Sequence, residues 1–322
     1  MNITRRHLVA ASAAAALLGA RAHAQPAQPM RLLVGFGAGG ATDGLARVLA
    51  QPVSEILKVP VIVENKPGAN QIIAIQALRA GPADGSVLLM GTGSGLAQNP
   101  ALQKNLPYDP RRDFAPVALA GRSPGVIAVR PSLSARTLDE LVSAARAAPG
   151  TLNYGSSGVG SANHLCTAFF LKQAGLRMEH IPLKSDGAVG VELAEGRIDM
   201  AIMTLQVALP LAQAGRIRLL MLTSVDPVPA AATVPTLASA PANLRQLDPY
   251  TFFGVVAPAG TPPQRIDELN RAFNEAAAMP QVRARLENTL MLQPAPGTPQ
   301  DFAAYLEREF MKWSGMASSI QL

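Results

Sequence analysis

Cysteine is almost missing from this chain. Cys166 stands alone among 322 residues, which excludes an intrachain disulfide and any multi-cysteine metal cluster. The Thr-Ala-Phe-Phe-Leu that follows it has a helical pattern, so Cys166 reads as a small buried hydrophobe. Histidine is also scarce. Of four, His7 and His23 sit in the first 24 residues, leaving His164 and His180, poor material for a zinc or copper site. No metal is expected. Aromatic residues make up 4% of the chain, and no Lys/Arg cluster is interleaved with them, which argues against nucleic-acid binding. Long apolar runs are missing too, except for Leu8 to Ala20 at the start.

That one run identifies its segment. Thr4-Arg5-Arg6 precedes it, and Ala22-His23-Ala24 supplies the small-x-small pattern of a signal-peptidase site. Residues 1–24 therefore read as an export peptide cleaved after Ala24, which puts the working protein in the periplasm. The paired arginines suggest the twin-arginine route, with the general secretory route as the alternative. No Cys follows the cleavage site, so a lipid anchor is not expected. Loss of the peptide takes away Arg5, Arg6 and Arg21 and no acid, half of the formal net charge of +6. About 300 residues remain, enough for two domains of ordinary size.

Short strand-like runs alternate with helical patterns through most of what is left, the signature of an α/β protein with largely parallel sheets. Met30–Val34 is the first strand. Asp43–Lys58 follows as a helix, with Leu45, Leu49, Val53 and Ile56 on one side. Val59–Val63 and Ser86–Met90 are strands, separated by a helix over Ile72–Ala80. The middle repeats the idiom: strands at Gly125–Val129, Asn153–Gly155, His180–Pro182, Ile198–Met203 and Ile217–Leu222, with helices between them. Residues 225–249, rich in Pro and Ala, read as an irregular connection. Thr251–Ala257 is a last strand, Pro262–Met279 a helix, and a helical pair runs from Pro299 to the end.

Two loops carry the candidate chemistry. In the first, Leu32 to Val34 meets four glycines and then a helix. Gly35, Gly37 and Gly40 fit G-x-G-x-x-G, and Glu64 lies where a dinucleotide site wants an acid. The same loop can instead hold a carboxylate on its free amides and the Thr42 hydroxyl, since both ligands use the positive end of a helix. Phe36 within the fingerprint, Pro52 within the helix, and the lack of a hydride-transfer set downstream weigh against the cofactor. The second loop, Tyr154-Gly-Ser-Ser-Gly-Val-Gly-Ser161-Ala-Asn163-His164, repeats the strand–loop–helix plan. Its Gly155-Ser156-Ser157-Gly158 is one residue short of a G-x-S-x-G nucleophile elbow. Neither histidine is paired in sequence with a nucleophile, so no enzyme is expected.

The order of motifs resembles the Bug family, periplasmic solute-binding proteins associated with tripartite tricarboxylate transporters. Phe36-x-Ala38-Gly39-Gly40-x-Thr42-Asp43 is similar to its first loop. Glu64-Asn65-Lys66-Pro67-Gly68-Ala69, Leu106-Pro107-Tyr108-Asp109-Pro110, Leu152-Asn153-Tyr154-Gly155-Ser156-Ser157-Gly158, His180-Ile181-Pro182, Gly196-Arg197-Ile198-Asp199-Met200 and Ala257-Pro258-Ala259-Gly260-Thr261-Pro262 follow in the family's order. The resemblance implies an α/β, two-domain type II periplasmic-binding-protein (Venus flytrap) fold that takes a small carboxylate in the cleft between its domains, with no cofactor. The expected domains are 26–124 joined by 250–322, and 125–249, hinged near Gly121–Gly125 and Asp248–Phe253. The ligand wall implied in the first domain is Phe36, Gly37, Gly40, Ala41, Thr42 and Asp43, with Asn70 and Thr92 at its edges. Ser156, Ser157, Ser161, His164 and Thr204 face it from the second. A monomer that serves a transporter's membrane subunits, or a sensing system, is implied as well. The alternative kept is an exported oxidoreductase using a dinucleotide at Gly35, Gly37 and Gly40.

Four positions depart from the family pattern. Ala38 replaces a Pro, Gln71-Ile72 stands where glycines are common, Leu183 replaces a Tyr, and Thr204 stands where Asn or Asp is frequent. If Leu183 and Ile72 line the pocket, its far end is less polar. An acid with one carboxylate and an apolar or aromatic remainder is then expected over citrate.

Overall fold

A computed structural model describes residues 28–103, 105–247 and 251–320. The export peptide, its cleavage after Ala24 and residues 248–250 of the second expected crossing lie outside them. In chain order the strands are β1 (Met30–Val34), β2 (Val61–Asn65), β3 (Val87–Thr92), β4 (Phe114–Ser123), β5 (Gly125–Val129), β6 (Asn153–Ser156), β7 (Glu179–Pro182), β8 (Met200–Thr204), β9 (Arg218–Leu222) and β10 (Thr251–Pro258).

They form two five-stranded sheets of one plan, ordered β2-β1-β3-β10-β4 and β7-β6-β8-β5-β9. In each, three parallel strands are followed by an antiparallel one, β10 or β5, that carries the outermost strand on its far side. Pro124 alone separates β4 in the first sheet from β5 in the second, and the chain returns to the first sheet at β10. The protein is thus a two-domain α/β fold. The continuous apolar runs at the sheet centres follow from helices covering both faces: Leu32, Leu33 and Val34 of β1 are all completely buried. The helix Ala41–Leu57 lays Leu45, Leu49 and Val53 on the first sheet, each worth about 1.5–3 kcal/mol of burial. The helices Asp186–Ala194 and Leu205–Gln213 do the same for the second.

The C-terminal helix Pro299–Ile320 joins the halves. It packs on β4 and also on the helix Ala162–Ala174 of the other unit. Trp313 and Met316 share one core cluster with Phe170, Leu33 and Ile75. Cys166 lies in that cluster, and burial pushes its thiol up to about 12. The expected terminal helical pair is therefore a single helix. Among the further elements that escape the sequence pattern are β4 and the helix Pro280–Asn288. Pro116 and Gly121 obscure β4, yet a proline is tolerated there because β4 is an edge strand. No helix among the described residues is long and apolar enough to cross a membrane.

Candidate functional site

The carboxyl ends of β1, β3, β6 and β8 converge on one cleft, where ligands of such sheets bind. After β1 the loop turns into the helix Ala41–Leu57 with Gly40 as its N-cap, in extended conformation (φ −78°, ψ 171°) and with no side chain to cap the helix. The amides of Ala41, Thr42 and Asp43 therefore have no intrahelical partner. Asp43 holds the loop in shape. Its Oδ2 accepts from the Gly39 amide at 2.9 Å and from Arg47 Nε at 3.0 Å, and its Oδ1 accepts from Asn65 Nδ2 at 2.9 Å. The hydrogen bond from Arg47 leads the effects that hold the Asp43 carboxyl down at about 2.

The second loop is built around Asn163, which is completely buried. Its Oδ1 accepts from the Ser157 amide (3.0 Å) and hydroxyl (2.9 Å), from the Ser161 hydroxyl (2.6 Å) and from the His164 amide (3.1 Å). Below it Ser156 Oγ lies 2.6 Å from His180 Nε2, and His164 Nδ1 accepts from the Gly160 amide at 3.0 Å. His164 and His180 stack with ring centroids 4.2 Å apart. Burial, followed by the charge His180 would carry, pushes His164 down to about 4. The two loops differ in consequence: the first leaves amides free, while most amides of the second are already used within the loop.

Between the loops lies a cavity of about 860 Å³. Of the sequence-predicted residues, Phe36, Gly40, Ala41, Thr42, Asn70, Thr92, Ser157, Ser161 and Thr204 line it. The other four are not among its lining. Gly37 lies in the first loop away from it, Asp43 is spent on Gly39, Arg47 and Asn65, and Ser156 and His164 sit in the layer behind the second loop. Gln98, Asn99, Lys184, Asp186 and Phe253 line the cavity without having been singled out in the sequence.

Comparison with known proteins decides what this two-sheet frame is. The model of the tripartite tricarboxylate transporter family receptor matches residues 45–322. The chain belongs to that receptor family. It is 33% identical to protein BugT of Bordetella pertussis, over 90% of this chain and 89% of BugT. A Rhodopseudomonas palustris protein solved with adipate superposes with a TM-score of 0.77 at 32% identity, covering 92% of this chain and 98% of that one. MatC of the same organism, solved with bound malate, superposes at 0.73 with 25% identity, covering 90% and 99%.

Within this receptor-family frame the dinucleotide alternative is not supported, and the glycines of its fingerprint have other work. A Cβ on Gly35 would lie 2.6–2.9 Å from Gln71 Cγ, Cβ and Cα, so the glycine makes room for a side chain of the protein itself. Glu64 is paired with Arg31 at 2.6 Å and Lys66 at 2.7 Å rather than left for a ribose. Gln71 is itself unusual, at φ 76° in a run of left-handed residues with Ala69 and Asn70. A glycine takes that conformation without cost. The Gln71 side chain instead crosses to β3, where its Nε2 donates to Thr92 Oγ1 at 2.5 Å and its Oε1 accepts from the Thr92 amide at 3.1 Å. The strain is held by Asn70 and Asn99, which bond to each other twice.

The less polar far end expected from Leu183 and Ile72 has no basis in the receptor's cleft. Leu183 packs on the core of the second sheet and Ile72 on that of the first. The cavity's apolar surface comes from other residues, Phe36, Leu102, Val159 and Phe253 among them. Among the described residues its charged lining is one cation, Lys184, and one anion, Asp186.

Proposed function

We propose that this protein is a periplasmic receptor that captures a small organic acid between its two domains and releases it unchanged. The observation that carries the reading is the uncapped N-terminus of the helix Ala41–Leu57 opening on the cavity. The free amides of Ala41 and Thr42, with the Thr42 hydroxyl, offer donors to one carboxylate, and the helix dipole adds to them. Ligands of the same chemistry, adipate and malate, occupy the two related structures.

The domains in this reading are 26–124 with 250–322, and 125–249, turning about Pro124 and the return crossing. The export peptide leaves after Ala24 by the twin-arginine or the general secretory route. The receptor works as a monomer, without cofactor or catalysis, and hands its solute to the membrane subunits of a tripartite tricarboxylate-type transporter or to a sensor.

Thermal-shift screening of the mature protein with di- and tricarboxylates, acidic amino acids, aromatic acids and nicotinamide tests the central part. A ligand at one hundred times its Kd stabilises by about 2.7 kcal/mol. At least one acid is expected to shift Tm and to be recovered unaltered by mass spectrometry. No shift with any acid, or co-purified NAD(P), would overturn the proposal.

A further inference from the structure

Asp186 is an odd residue to find in a cleft that holds an anion. It lines the cavity at the start of the helix Asp186–Ala194, capped by Ser185, whose Oγ accepts from the Ala188 amide at 3.1 Å. Its Oδ2 accepts from the Thr204 amide at 3.0 Å and the Thr204 hydroxyl at 2.6 Å. Among the described residues its Oδ1 has only Asn163 Nδ2, at 3.3 Å. All three partners lie on the second unit and are neutral, and among the described residues no cation helps to hold the carboxylate ionised. Burial accordingly pushes its proton affinity up against those bonds.

Oδ1 thus keeps acceptor capacity beside the cavity, and among the described residues no cation forms an ion pair with Asp186. A plain dicarboxylate reaching this end would set a second anion against the first, with desolvation and like charge both opposing it. A ligand that brings its own positive charge supplies what the site lacks. The opposite needs of the ligand are met elsewhere in the lining, by the free amides at Ala41 and Thr42 and by the ammonium of Lys184.

We propose that Asp186 sets the specificity of the cleft by accepting an ammonium group, so that the solute is a zwitterionic amino acid rather than a plain di- or tricarboxylate. This rests on the carboxylate-receptor reading. Asp186 Oδ1 receives the N–H of the ligand, while the carboxylate goes to the helix N-terminus.

Calorimetric titration of the mature protein with matched pairs tests it: aspartate against succinate, glutamate against glutarate, and γ-aminobutyrate against butyrate. At least one ammonium-bearing member is expected to bind ten times or more tighter than its amine-free partner, and D186N is expected to erase that ratio. The comparison in the unaltered protein decides even where D186N fails to fold. Amine-free acids binding as tightly as their partners in every pair, or a ratio that survives D186N, would overturn the inference and leave the carboxylate reading standing. Binding of neither member in any pair would overturn the inference alone, since the carboxylate reading stands or falls by the thermal-shift screen of all the acids.

Discussion

Thr204 donates its backbone amide and its hydroxyl to the same oxygen of Asp186, at 3.0 and 2.6 Å. The end of β8 is thereby tied to the start of the helix Asp186–Ala194, on the wall of the cleft. Thr204→Val keeps the shape and removes one bond to a charged, desolvated acceptor. A loss of about 1.5–3 kcal/mol in unfolding free energy is expected from urea denaturation. An unchanged midpoint would show that this bond carries no stability.

Gly35 and Gln71 form a complementary pair. Gly35→Ala should destabilise by about 1–3 kcal/mol, because its Cβ meets both the side chain and the Cα of Gln71. Adding Gln71→Gly removes the obstructing side chain and also relieves the left-handed residue at φ 76°. The double variant should therefore be more stable than Gly35→Ala alone, as read by thermal unfolding. Additive losses would mean that the two residues do not interact as the contact distances imply.

Two groups should each make stability fall with acid. His164 is held down at about 4 against an ordinary 6.5, so the unfolded chain takes up the proton first. Its contribution is whole above pH 6.5 and is lost as pH falls towards 4. Asp43, held at about 2 against 3.8, contributes fully above pH 3.8, and its share is lost as pH falls towards 2. His164→Gln should reduce the loss between pH 6.5 and 4, to which His180, also lowered by burial, adds its own share, and should leave the part due to Asp43 in place. Parallel stability curves for the two proteins between pH 7 and 4 would contradict the buried neutral imidazole.

Much of this was legible in the sequence. The alternation of strands and helices and the two Gly-rich turns are local patterns, fixed by residues close together in the chain. They place Gly40, Ala41, Thr42 and Ser157 at the mouths of helices before any fold is known. Asp186 was not legible, because Lys-Ser-Asp-Gly reads as an ordinary capped helix start, and only β8, 18 residues on, turns its carboxylate into the cleft wall. Asn163 is hidden for the same reason: what makes it the organiser of the second loop is four donors arriving from three residues. Ser156 and Ser157 look alike as neighbours in a strand end. Alternation sends one into the layer of His180 and the other to the cavity.

That difference gives a prediction of its own. Ser156→Ala breaks a partly buried bond to His180 and should cost about 1 kcal/mol of stability while leaving acid affinity within twofold. A drop in affinity without loss of stability would put Ser156 in the binding surface instead.

Ala41→Pro tests the free helix N-terminus most directly. Proline is at home in the first position of a helix, and Gly40, at ψ 171°, already has the extended conformation that a following proline requires. The substitution deletes one N–H facing the cavity and little else. Calorimetric titration with an acid from the thermal screen should show affinity at least tenfold weaker, with Tm unchanged or raised. Affinity within twofold of the unaltered protein, for Ala41→Pro and for Thr42→Val alike, would contradict a carboxylate held at that helix end.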